Sequence, residues 1–177
     1  MKGLYVTAKV GERNKRFIED SYQSDTIPLE RDSILLHLIM PYLELTSDEP
    51  AEDDYGPDTV KIELPLGNKK VYNHSGQMVY VCNTLWRNRL SEEGQAKVKR
   101  FFDHEVKKAF RTYMDGYIES QNATDTGRQY KRIKEGITAF FIQYHIDFTK
   151  QDIAAFARDW YRHRDKVDEN LRSPLVK

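Results

Sequence analysis

Residues 91–121, SEEGQAKVKRFFDHEVKKAFRTYMDGYIESQ, constrain the fold more than any other part of the chain. Successive residues of an α-helix advance about 100°. With Val98 at 0°, Phe102, Val106, Ala109, Phe110, Tyr113 and Tyr117 fall between about 20° and 120°. That is a continuous apolar face, so the spacing predicts one long helix with a single buried side. Ser91 suits its N-cap, and Glu92 and Glu93 occupy the first turn, where the helix dipole favours acids. A helix of this length draws its stability from other elements packed on that face.

Two further helices follow. The run from Gln129 to Tyr144 puts Tyr130, Ile133, Ile137, Phe140, Phe141 and Tyr144 on one side. "NATDTG", residues 122–127, separates it from the long helix. Thr149 caps a third helix that runs towards Asn170, with "HIDFT" as the intervening turn. The N-terminal half has a different period. "LYVTAKV" alternates, with Leu4, Val6, Ala8 and Val10 on one side, which predicts a half-buried strand. Val60, Ile62 and Leu64 alternate in the same way. "KVYN" and "QMVYVC" flank "NHSG", a hairpin signal in which Gly76 supplies the positive φ of a tight turn. The polar residues from Gly11 to Asp25 are expected to form a connection. "PLERDSILLHLIMPYLEL" is expected to be helical, with Pro28 in its first turn and Pro41 kinking or ending it.

These patterns give an α+β fold: a small antiparallel β-meander in the N-terminal half, packed on a mainly helical C-terminal half. The helices are expected at about 91–121, 129–144 and 149–170. A length of 177 residues suits a single domain, 1–177. Its strand-containing half is 1–83, with an acidic loop at 44–58, and its helical half is 84–177. No apolar run reaches the ~20 residues that cross a bilayer, and no apolar stretch marks a secretory signal. A lone Cys82 excludes an internal disulfide and a cysteine-cluster zinc site. The expected setting is a reducing cytoplasm, with no membrane partner and no cofactor.

The zero net charge conceals an asymmetry. Residues 1–58 carry 13 acids and 6 bases, giving −7; residues 59–177 carry 15 acids and 22 bases, giving +7. Glu44–Asp58 holds seven carboxylates and no base. On the long helix, Lys97, Arg100, His104, Lys107, Lys108 and Arg111 fall between about 180° and 280°, opposite the apolar face. This one-signed strip is about 21 Å long. Like charges one turn apart repel, so such a strip invites an anionic partner. A second ridge comes from "FARDWYRHRDK", where Arg158, Arg162 and Lys166 stand four residues apart, opposite Phe156 and Trp160. Asp159, Asp165 and Glu169 share that side and offer partners within the helix.

The candidate site is therefore Lys97, Arg100, Lys107, Lys108, Arg111, Arg158, Arg162 and Lys166. Contact would be with the phosphates of DNA or RNA, without enzymatic activity. The alternative is a protein-interaction or self-associating module, such as a homodimer. It would use Phe101, Met114 and Ile118, which lie outside the main apolar arc. Catalytic motifs are missing from the sequence: no Gly-rich phosphate loop, no His-Glu-x-x-His, no G-x-S-x-G. Asp53, Asp54, Asp58 and Glu63 are the only dense carboxylates near a strand. They make a metal-dependent nuclease a remote possibility.

Overall fold

The computed structural model describes residues 4–46, 56–65, 71–72, 78–79, 87–120 and 126–172. Two compact units make up the chain, Met1–Glu105 and Val106–Lys177, and the division falls inside one helix. The fold is α+β, with strands confined to the N-terminal part and three long helices following them.

In the first unit, β1 (Leu4–Lys9) leads through Gly11 into α1 (Glu12–Tyr22), then β2 (Thr26–Pro28) and α2 (Ile34–Ile39). A 3-10 turn, Met40–Tyr42, passes the chain to β3 (Leu43–Thr46). There follow β4 (Thr59–Leu64), β5 (Val71–Tyr72), β6 (Met78–Val79), β7 (Arg87–Leu90) and the start of α3 (Glu92–Ser120). The main sheet has the order β1-β4-β2. β1 runs antiparallel to β4 with Val6 opposite Ile62. β2 runs parallel to it with Ile27 opposite Ile62. β3 pairs with β7, and β5 pairs with β6 in the expected hairpin.

Alternation places the core. Val6, Ala8, Val10, Ile27, Val60, Ile62 and Leu64 are buried, joined by Ile18 of α1, by Leu35 and Ile39 of α2, and by Val98 and Phe102 of α3. The sheet is not a simple meander. β4 takes β1 and β2 as neighbours rather than β5, because its buried pattern suits a central strand flanked on both sides.

Three local expectations change. Residues 12–22 form a helix instead of a polar connection. Gly11, at φ 86, makes the turn into it, in a backbone region that favours glycine. Pro28 ends an edge strand, where a missing N–H costs no ladder bond. The helix predicted around Pro41 is short: Ser33 Oγ caps it at Leu36 N–H, and Pro41 lies in the 3-10 turn that ends it.

In the second unit, the C-terminal half of α3 joins α4 (Thr126–Gln143) and α5 (Lys150–Arg172). Its centre is aromatic. Phe110 meets Phe140 at 5.3 Å and Phe156 at 4.8 Å between ring centroids, and Phe141 meets Phe156 at 4.8 Å. Such offset and edge-on pairs add to what area burial provides. Two residues past the end of α4, His145 adopts φ 50 where glycine is usual. Ile146 N–H reaches back to the Phe141 carbonyl, and His145 N–H to that of Ile142, closing a Schellman turn. Thr149 and Asp152 then cap α5 reciprocally: Asp152 N–H donates to Thr149 Oγ1, and Asp152 Oδ2 accepts from Thr149 N–H at 2.9 Å.

The Gly67-Asn68 and Ser75-Gly76 turn signals, His74, Cys82, the "NATD" break and most of the acidic segment lie outside the described residues.

Candidate nucleic-acid interface

Ser91 begins α3 as expected, its Oγ accepting from Gly94 N–H. The helical phase that follows fixes every basic side chain on it. Val98, Phe102, Val106 and Phe110 are buried, while Arg100, Lys107 and Lys108 are exposed and Lys97 is half-buried. Lys97 and Arg100 belong to the N-terminal unit, where no ion pair reaches either of them from the described residues. His104 faces outward there, 3.7 Å from Glu105.

The other six predicted residues share the second unit. Lys107, Lys108, Arg158, Arg162 and Lys166 are all exposed. Among the described residues none forms an ion pair with them. Of the partners expected within α5, Asp159 behaves differently from its helical angle. Asp159 turns to α3: Arg111 Nε donates to Asp159 Oδ2 at 3.0 Å and Arg111 Nη2 to Oδ1 at 2.9 Å. Both side chains are partly exposed, 33% for Arg111 and 26% for Asp159.

This bidentate pair organises the surface around it. Lys107 and Lys108 stand four and three residues before Arg111, one turn along α3. On α5, Arg162 is about 60° and one turn from Asp159, and Lys166 about 20° and two turns away. The cations of two helices thus flank one salt bridge. Sequence reasoning found both ridges separately. It missed that Asp159 joins them, and no signal within either helix reveals a partner 48 residues away.

Residues considered for other chemistry fall elsewhere. Asp58 lies at the sheet end, its carbonyl accepting from Val10 and Gly11 N–H. Among the described residues no group of three or more His, Cys, Asp or Glu side chains could hold a metal ion. No described helix is long and apolar enough to cross a membrane. Of the apolar residues expected to meet a partner, Met114 is fully buried, and Phe101 packs against the core of the first unit. Ile118 is half-buried. Among the described residues of the second unit, the large apolar side chains left most open are Ile142, 63% exposed, and Phe148, 37% exposed.

Compared with family models, with curated proteins and with solved structures, the chain matches none.

Proposed function

We propose that the chain associates with nucleic acid by holding phosphates, without catalysing a reaction on them. One observation carries this reading: exposed lysines and arginines on α3 and α5 stand within two turns of the Arg111–Asp159 bridge that links the two helices. Lys107, Lys108, Arg162 and Lys166 are its main contacts. Arg158 adds positive charge on α5, and Lys97 and Arg100 are separate candidates in the N-terminal unit. Contact through phosphates makes binding weakly dependent on sequence and steeply dependent on salt.

The experiment is anisotropy with a labelled duplex and a labelled single strand at two salt concentrations. Binding at low salt that weakens steeply on raising it supports the reading. Absence of binding to both oligonucleotides, or binding to anionic vesicles alone, contradicts it.

Ile142 and Phe148 favour a second reading, a module that binds protein or its own copy. Sedimentation separates the two: a tight dimer that dissociates on Ile142→Glu belongs to the second reading.

A further inference from the structure

The Arg111–Asp159 bridge has the geometry of an occupied anion site. Arg111 gives two roughly parallel N–H bonds, from Nε and Nη2, to the two oxygens of one carboxylate. A guanidinium offers the same fork to two oxygens of a phosphodiester. The bridge is not sealed, since both partners remain partly exposed. Exposed cations surround it in sequence: Lys107 and Lys108 one turn away on α3, Arg162 and Lys166 one and two turns from Asp159 on α5. Asp159 is the acid that Arg111 holds, while Asp115, one turn along α3, and Asp165, beside Lys166, are exposed.

We propose that Asp159 is an internal stand-in for phosphate, holding Arg111 in the free protein and yielding it to a nucleic-acid phosphodiester on binding. This deepens the reading above and rests on it. The exchange is non-covalent: two N–H···O bonds to the carboxylate are replaced by two to the phosphate. It carries a cost, because the released carboxylate stays among phosphates that repel it. Asp159 therefore lowers affinity while it orders Arg111. A bridge serving only to tie α3 to α5 predicts no more than the general gain that the loss of any nearby negative charge gives, without a new phosphate contact at Arg111.

Asp159→Asn is the informative variant, with Asp159→Ser as a second that also removes the charge. Arg111→Gln/Asp159→Asn tests whether any gain passes through Arg111. Melting curves of each variant establish that it is folded. The probes are the labelled duplex and single strand used above. Both single variants are expected to bind on the order of ten-fold more tightly than the parent at low salt. The slope of log K against log salt steepens by about 0.9 for the duplex and about 0.7 for the single strand, one more phosphate neutralised. The double variant loses that gain. Tighter binding by Asp159→Asn supports the proposal even where the parent binds too weakly to measure. If the parent binds and folded Asp159→Asn and Asp159→Ser bind no more tightly, the stand-in role is overturned and the nucleic-acid reading survives. If the parent and both folded variants fail to bind at low salt, both fall together.

Discussion

Gln95 serves Lys9 as the missing neighbour of an edge strand. Its Oε1 accepts from Lys9 N–H at 2.8 Å, and its Nε2 donates to the Thr7 carbonyl at 3.1 Å. β1 stands at the edge of the main sheet, and its outward backbone groups would otherwise invite another strand. Gln95→Leu removes both bonds and is expected to cost about 1–3 kcal/mol. Gln95→Glu keeps the bond to Lys9 but sets an acceptor against the Thr7 carbonyl, so it also destabilises. Urea unfolding of both variants checks this; a midpoint unchanged in both contradicts the capping role.

Two glycines on helices permit close approaches, and they differ in what they touch. A Cβ at Gly94 would lie 2.7 Å from Tyr42 Cβ, an atom fixed to the backbone. One at Gly136 would lie 2.8 Å from Tyr117 Cδ1 and 3.0 Å from Met114 Sδ, side-chain atoms that can shift. Overpacking costs about 1–3 kcal/mol, with the larger part of that range for Gly94→Ala and the smaller for Gly136→Ala. Thermal melts of the two variants give the order directly.

The pH dependence has an arm at each end. Burial raises the Tyr113 phenol above its ordinary value, reinforced by Tyr117 and Tyr144. Its contribution is whole below the pH at which free tyrosine ionises, and is lost as pH rises from there through the folded value. Asp25 is held below the ordinary carboxylate value by the Thr26 hydroxyl first; burial opposes this, and Lys61 adds to the lowering. Its contribution is present above the unfolded value and disappears as pH falls through the folded one. Tyr113→Phe flattens the alkaline arm alone and Asp25→Asn the acid arm alone. Melting temperature against pH, followed for each variant, tests the assignment.

The helices of the second unit were legible because their apolar residues recur at three and four and their caps are chemically explicit. Ser91 and Thr149 mark starts that the structure keeps. α1 was not legible, because six charged residues surround its narrow inward face. One inward residue, Asn14, is polar and buried by bonds to the Val10 carbonyl and to Asp103 Oδ1, 89 residues away. Burial of an amide makes sense only once its partner is in place. Pro28 misled for a related reason, since a fixed φ suits both a first helical turn and an edge strand. At the candidate site, the helical angle predicts correctly that Lys107, Lys108 and Arg162 face outward. It could not assign Asp159 to Arg111, because an angle within one helix says nothing of which other helix it meets.

The measurement that bears most directly on the proposed role is duplex affinity of the Lys107→Glu/Lys108→Glu variant across a salt series. Both side chains are exposed, so the variant is expected to fold with the parent's melting temperature. Affinity at low salt should fall by ten-fold or more, and the salt slope should shrink by roughly two phosphates' worth, about 1.8. A folded variant that binds the duplex as tightly as the parent, with the same slope, would contradict the account.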